Sequence, residues 1–388
     1  MFTPLKDISP DRNWTLDELN DKEVQLLVPV IVFIAVAMVI GLVGNILVLK
    51  VNSRIIKVGN CTYRYFIIML ASVDIIFCLI GDPFIIGVLT HPYNFTNTLA
   101  CKCLRTFSNF NVLVSSLVLS VIALDRYKRI CRPEGHQFSE RTIKYIFGII
   151  VCISLVFSIP TFILYGRNTV QTGYANITGI QCFPDDIYKD TLFPNVYTMF
   201  LGTMFIILTA SISVFYILIW RKVKIHVQSM KTSVLQRSAQ QKVKCIKMET
   251  KSTETYTIKT MSQIQNTMPG VRQILCEPEK NESKENKRNK ELYMAERAKT
   301  IRVSKMLFVV TAFFVLSFAP FIALELLTFF DEYFIENLDN TSTMFYQLFW
   351  RTFSINFMVN PFIYGVMDKR FRMECKNLCV KRASLGEF

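Results

Sequence analysis

The chain has 388 residues, 51% of them hydrophobic, and its 44 Lys and Arg outnumber its 30 Asp and Glu. With a mean hydropathy of +0.33, the apolar bulk and the basic excess must lie in separate parts of the chain. Nucleic-acid binding is not needed to explain the positive charge, because basic segments beside apolar ones suit the anionic surface of a membrane.

Long apolar runs dominate the chain. A helix needs about 20 apolar residues to cross a bilayer, and seven runs of suitable length occur, at 26–49, 65–89, 107–124, 145–166, 191–220, 306–324 and 343–366. Five have no charged residue, whereas the second contains Asp74 and Asp82 and the seventh contains Arg351. We therefore predict an all-α membrane protein with a seven-helix bundle. We expect no cleavable signal peptide, because the first 25 residues are polar.

The charges beside these runs predict the orientation, since Lys and Arg concentrate on the cytoplasmic side. Basic residues follow the first, third and seventh runs, whereas the loop after the sixth run is acidic. We predict an extracellular segment at 1–25, a membrane domain at 26–366 and a cytoplasmic tail at 367–388, in the plasma membrane. Four glycosylation motifs then face outward: Asn13, Asn94, Asn176 and Asn340.

Two further segments are expected in the cytoplasm. Residues 221–302 are strongly basic with few aromatic residues, so we predict a flexible loop whose ends continue the fifth and sixth spans as helices. After the last span we predict a short amphipathic helix at the membrane surface, with Cys375 and Cys379 as acylation sites. Two unmodified thiols are the alternative.

Three cysteines lie where an extracellular disulfide can form. Cys101 and Cys103 stand at the outer end of the third span, and Cys182 lies in the loop after the fourth. The cytosol keeps thiols reduced, so the cysteines on the inner side are not expected to pair. From the residues alone, either Cys101 or Cys103 could form the disulfide with Cys182.

Isolated polar residues inside apolar spans usually face the bundle interior and have a function. A polar cluster is predicted from five such residues: Asn45, Asp74, Ser115, Asn356 and Asn360. A carboxylate with neutral oxygens suits a hard cation such as Na⁺ or a protonatable switch, while hydrogen bonding between helices is the alternative.

The inner end of the third span carries Asp125, Arg126 and Tyr127. Asp125 follows Cys101 by 24 residues, which is one membrane crossing at about 1.5 Å per residue, so the arginine lies at the cytoplasmic boundary. There it can pair with Asp125 or exchange that partner for another. Pro320 and Pro361 remove backbone hydrogen bonds in the sixth and seventh spans and predict kinks.

These motifs together resemble the signature of rhodopsin-like G-protein-coupled receptors: Asn45, Asp74, Asp125–Arg126–Tyr127, Pro320, and Asn360–Pro361 with Tyr364. The resemblance implies that Cys101 pairs with Cys182, that Arg126 meets a heterotrimeric G protein and that Asp74 holds allosteric Na⁺. It also implies that Tyr216 and Tyr364 stabilise the active state, with arrestin and receptor kinases as further partners. Phe318 replaces the usual tryptophan switch, and Thr300 replaces an acid that pairs with Arg126 in many members.

Two classes of ligand, amines and retinal, are disfavoured because the residues that bind them in related receptors are absent. Ser108 stands where amine receptors have Asp, and Ser354 where opsins have the retinal-binding Lys. The expected pocket contains Asp82, Arg105, Ser108, Asn109, Glu325, Trp350 and Arg351. Charges of both signs favour a peptide, with Glu325 or Asp82 opposite its basic group and Arg105 or Arg351 opposite its acidic group. The alternative is that these charges pair with each other across the pocket.

Residues 125–133 also resemble cholecystokinin or orexin-type receptors. The alternatives are a receptor for a non-peptide small molecule and a multi-pass transporter. A transporter is disfavoured because the two halves of the chain show no duplication. An enzyme is not expected, because His91, His136 and His226 are scattered and form no catalytic constellation.

Overall fold

The structure is a computed structural model, and it describes residues 13–58, 62–172, 174, 177–259, 284–331, 334–335 and 337–383. Within these ranges six helices are long and apolar enough to cross a membrane. They are α1 (Leu16–Val58), α2 (Tyr63–Thr90), α3 (Thr98–Cys131), α4 (Glu140–Leu164), α5 (Phe193–Lys259) and α6 (Lys284–Phe330). Each coincides with one of the first six predicted spans.

The seventh predicted span is divided into two helices. α7 (Asn340–Trp350) and α8 (Ile355–Met367) are separated by a 3₁₀ turn at Thr352–Ser354. Thr352 Oγ1 donates to the carbonyl of Phe349 at 2.8 Å and to that of Ser317 in α6 at 2.9 Å. A hydroxyl that bonds to nearby carbonyls competes with the regular helix, so the interruption falls here, before Pro361.

The two predicted kink prolines lie inside continuous helices. Pro361 cannot donate to the carbonyl of Phe357, and the Asn45 amide of α1 donates to that carbonyl instead, at 2.7 Å. Gly44 is needed beside this proline, because a Cβ at Gly44 would lie 2.6 Å from Pro361 Cγ. In α6, the carbonyl of Ser317 in the turn before Pro320 accepts the bond from Thr352.

An antiparallel hairpin covers the outer end of the bundle. β1 (Tyr165–Gln171) pairs with β2 (Thr178–Pro184), and Arg167 lies opposite Cys182. In the turn after α2, the carbonyl of Tyr93 accepts a hydrogen bond from the Ile180 N–H at 2.7 Å, and the Phe95 N–H donates to the Ile180 carbonyl at 3.0 Å. The hairpin is thus fixed to the helix ends below it.

The described helices pack around three apolar clusters, of which the largest includes Leu119 and Phe314. In contrast, α1, α4 and α5 expose large apolar side chains on their outer faces, such as Val43, Val156 and Ile206. Such faces need hydrocarbon rather than water around them. The chain is therefore a multi-pass membrane protein.

The segments predicted to be cytoplasmic are helical where they are described. α5 continues to Lys259 and α6 begins at Lys284, as predicted for the ends of the long loop, whereas 260–283 lie outside the described residues. The helix predicted after the last span is α9 (Lys369–Ala383). Phe371 is buried and Cys375 is half-buried against the core on the same face. The side chain of Cys379 is outside the described part of the chain.

Candidate functional site

A cavity of about 710 Å³ opens at the outer end of the bundle, between the helices and below the hairpin. Six of the seven predicted pocket residues line it: Arg105, Ser108, Asn109, Glu325, Trp350 and Arg351. Its wall is mostly apolar. Among the described residues, the charged side chains that line it are Arg105, Glu325 and Arg351. A ligand of this cavity therefore meets charges of both signs on an apolar surface.

Asp82 was predicted to line the pocket, and the structure places it elsewhere. Its side chain is 1% exposed within α2 and is absent from the cavity wall, which Phe84 and Ile85 of the same helix do line. Successive side chains of an α-helix point about 100° apart, so residues at similar depth on one helix can face different neighbours. Sequence position gave the depth of Asp82 in the membrane but not its direction.

Asn109 fixes the back wall of the cavity. Its amide donates to Tyr197 on α5 at 2.8 Å and to Thr161 on α4 at 3.0 Å. The Tyr197 hydroxyl in turn donates to the carbonyl of Phe157 at 2.8 Å. These bonds join α3, α4 and α5, so this polar group maintains the wall. Ser108 donates to the carbonyl of Leu104 in its own helix.

A disulfide closes the outer side of the cavity. Cys101 at the start of α3 is bonded to Cys182 of β2, whereas Cys103 is an exposed free thiol. This decides between the two partners that the residues had left open. Because Cys182, Phe183 and Pro184 line the cavity, the bond holds β2 over the ligand space.

Aromatic rings in mutual contact lie at the inner end of the cavity. The ring centroid of Phe318 in α6 lies 5.2 Å from that of Phe205, 4.8 Å from that of Phe314 and 5.7 Å from that of Phe353. Phe318 lines the cavity and is also part of the inner core. The residue predicted as a switch is therefore in contact with both regions. Phe353, which lies within the 3₁₀ turn of the seventh span, was not predicted.

The polar cluster in the middle of the bundle is buried throughout, at 0–2% exposure. Asn360 donates to Asp74 Oδ2 at 2.9 Å, while Asp74 Oδ1, Ser115 Oγ and Asn45 Oδ1 have no hydrogen-bond partner among the described residues. Asn111, which the sequence reasoning missed, adds a further unpaired amide oxygen. A carboxylate with several unpaired neutral oxygens fits the ligand preference of a hard cation. No described bond involves the Asn356 side chain.

The inner end of α3 contains a buried ionic cluster. Arg126 forms an ion pair with Asp125, and Arg129 Nε lies 3.1 Å from the same carboxylate. Asp125 is fully buried and Arg126 is 3% exposed. Arg129 also donates to Thr62 before α2, at 2.6 Å. One carboxylate therefore holds two arginines, and the role of Arg129 was not predicted.

The tyrosines near this cluster lie on three helices. The Tyr216 hydroxyl is 3.4 Å from Thr311 Oγ1 of α6, and Tyr127 packs against Phe215 with centroids 5.5 Å apart. Tyr364 is buried against Phe371 of α9. Within the described structure neither Tyr216 nor Tyr364 bonds to Arg126, so the arginine is held by Asp125.

The glycosylation motifs differ in accessibility. Asn13 is exposed, whereas Asn94 is half-buried and pairs through its backbone with Ile180. Asn340 is half-buried at the first turn of α7, and Asn176 lies outside the described residues. Modification of these residues stays a prediction.

Comparison with known proteins agrees with this geometry. Residues 44–364 match the family model of the 7 transmembrane receptor (rhodopsin family). The chain is 28% identical to the cholecystokinin receptor type A of Cavia porcellus over 375 residues, which cover 94% of this chain and 81% of the relative. It is 30% identical to the Mus musculus neuropeptide S receptor over 204 residues, 49% of this chain, and 29% identical to the Caenorhabditis elegans nematocin receptor 2 over 149 residues, 37% of this chain. These last two matches span half and 37% of the relatives' own lengths.

Proposed function

The chain belongs to the rhodopsin family of seven-transmembrane receptors, and on this premise we propose that it binds an extracellular peptide and activates a heterotrimeric G protein. The family consists of receptors and not of enzymes. The observation that carries the peptide proposal is the outer cavity of about 710 Å³, with Arg105, Glu325 and Arg351 in a mostly apolar wall. Relatives whose names include neuropeptide S and cholecystokinin support it.

Signalling requires the agonist to prefer one of two receptor shapes, and its effect is limited by that preference. Phe318 contacts the cavity on one side and the inner core on the other. The bond from Thr352 to Ser317 couples the break in the seventh span to the turn before Pro320. We propose that peptide binding moves these elements together and that the inner part of α6 then swings outward, making Arg126 accessible to the G protein.

Sodium is proposed as an allosteric ligand of the polar cluster. The unpaired oxygens of Asp74 and Ser115 support this proposal, since a hard cation prefers oxygen ligands. Arrestin and receptor kinases are proposed as further partners on the inner side. The proposed location is the plasma membrane, with the amino terminus outside the cell.

The proposal is tested in cells that express the chain with a panel of G-protein sensors and are exposed to a peptide library. A peptide response is expected in cells expressing the chain, with none in mock-transfected cells. Arg126→Ala is expected to keep surface peptide binding and to lose the sensor response. A response to amines but to no peptide would overturn the peptide assignment. Equal loss of binding and signalling in Arg126→Ala, at normal surface expression, would contradict the role given to this arginine.

A further inference from the structure

Two arginines share the outer cavity without a carboxylate partner. Arg105 of α3 and Arg351 at the end of α7 both line it, and neither forms an ion pair within the described residues. Among the described residues that line the cavity, Glu325 is the one with a carboxylate side chain. The wall therefore carries two positive charges and one negative charge.

Arg105 is held in a fixed orientation. Its guanidinium lies between the rings of Phe84 and Tyr165, 5.8 and 5.5 Å from their centroids. Its Nη2 donates to the carbonyl of Cys182 at 3.4 Å, while Nε has no partner. Aromatic faces and the disulfide-bonded strand thus position a cation that still has free donors.

Arg351 is oriented from the other side by Gln347. Its Nη1 donates to the Gln347 carbonyl at 2.9 Å and to the side-chain oxygen of the same residue. Within the described chain, no residue accepts a hydrogen bond from its Nε or Nη2. Arg351 is 8% exposed and Gln347 is 2% exposed, so this cation is largely removed from solvent.

Burying an unpaired cation carries a desolvation penalty, and a nearby opposite charge reduces that penalty. Both arginines line the same cavity, and two like charges in one low-dielectric site disfavour each other. A planar guanidinium binds a carboxylate through two parallel hydrogen bonds. An anionic ligand group between the two arginines would satisfy their free donors and reduce their repulsion.

We propose that Arg105 and Arg351 together bind a carboxylate of the ligand, a proposal that rests on the proposed function and specifies its ligand chemistry. The carboxylate belongs either to the carboxyl terminus of the peptide or to an Asp or Glu side chain. Glu325 is then available to form an ion pair with a basic group of the same ligand. Recognition by both arginines distinguishes this site from one that binds a compact cationic amine.

The first experiment does not need the natural ligand. Hippurate carries a carboxylate, an amide and a ring, as the end of a peptide does, and hippuramide is its neutral analogue. At matched ionic strength, hippurate is expected to raise the unfolding temperature of the purified receptor by about 2 °C or more, and hippuramide is not. An equal effect of the two compounds, or no effect of hippurate, overturns the proposal.

Variants locate the effect. Arg105→Gln and Arg351→Gln are each expected to abolish the hippurate shift, whereas Arg167→Gln, an exposed arginine of the hairpin, is expected to keep it. A hippurate shift that persists in both cavity variants overturns the proposal. The hippurate and hippuramide comparison in the unchanged receptor remains decisive if a cavity variant does not fold.

The second experiment separates the sources of the carboxylate. Three peptide pools are applied to expressing cells: free carboxyl termini, amidated termini, and free termini with Asn and Gln in place of Asp and Glu. A loss of potency of about tenfold or more with amidated termini assigns the terminal carboxylate, and the same loss in the third pool assigns a side chain. Equal responses to all three pools overturn the carboxylate proposal and leave the peptide function intact. No response to any pool contradicts the peptide function, while the hippurate experiment still decides the anion site.

Discussion

Arg64 Nη2 lies 2.9 Å from Asp368 Oδ2, so a fully buried arginine of α2 forms an ion pair with the residue immediately before α9. Arg64 Nη1 also donates to Asn52 of α1, and Asp368 Oδ1 accepts from the backbone N–H groups of Arg370 and Phe371. This cluster joins the inner ends of the first, second and seventh spans to α9. Arg64 is one of the basic residues between the first and second apolar runs, and its burial was not predicted.

Asp368→Asn is expected to destabilise the receptor by about 3–5 kcal/mol, because it leaves a buried arginine without its counter-charge. Asparagine can still cap α9, so the change isolates the charge. Thermal unfolding of the purified protein measures the effect, with the exposed Asp190→Asn as the matched control. Equal unfolding temperatures for the two variants would show that the ion pair does not stabilise the fold.

Asp125→Asn is expected to raise signalling without agonist. Asp125 holds both Arg126 and Arg129, and a neutral side chain weakens both pairs. A shift of about 1–2 kcal/mol changes the ratio of the two receptor shapes by a factor of about 5–30. Basal G-protein activation at matched surface expression is the measurement. Glu140→Gln removes an exposed inner-side acid paired with Lys144 and should leave basal activity unchanged; a similar rise in both variants would argue against a specific role for Asp125.

Loss of the disulfide is expected to destabilise the receptor by about 4 kcal/mol. The bond joins Cys101 and Cys182 across 81 residues, and closing a loop of that length removes entropy from the unfolded chain. Cys182→Ser should lower the unfolding temperature and weaken ligand binding, because β2 would no longer be held over the cavity. Cys103→Ser should change neither property, since Cys103 is exposed and unpaired. If Cys103→Ser has the larger effect, the pairing is wrong.

Sodium chloride is expected to stabilise the receptor more than choline chloride at equal ionic strength. Asp74→Asn should remove this difference, because Asp74 supplies the carboxylate of the polar cluster, whereas Asp190→Asn should preserve it. Unfolding temperatures over a range of salt concentrations measure the effect. Identical curves for the two salts with the unchanged receptor would refute the proposed sodium site.

The depth of each span could be derived from the residues alone. A helix that crosses hydrocarbon needs a long apolar run, and its backbone hydrogen bonds are satisfied within the helix. Such a run can be recognised in the sequence without knowledge of any tertiary contact. The ends of 221–302 were also predicted as basic helical continuations of the fifth and sixth spans, and α5 and α6 extend into them. The motifs around Asp125, Pro320 and Asn360 were likewise recognisable without coordinates.

The direction of individual side chains depended on the packing of neighbouring helices. Asp82 lies at the expected depth but faces away from the cavity, and Arg64 is buried although it borders a loop. The interruption of the seventh span depends on Thr352 reaching a carbonyl of α6, a contact between residues 35 positions apart. Sequence periodicity contains no information about such a partner.

The amino-acid sequence by itself determined the number of spans, their depth and the residues of the signature motifs, because the bilayer imposes a local requirement on each segment. Only the tertiary structure decided that Cys101 is the disulfide partner, that Arg105 and Arg351 share one cavity, and that Arg64 meets Asp368. These relationships arise between helices, where relative rotation and close packing set which polar groups meet.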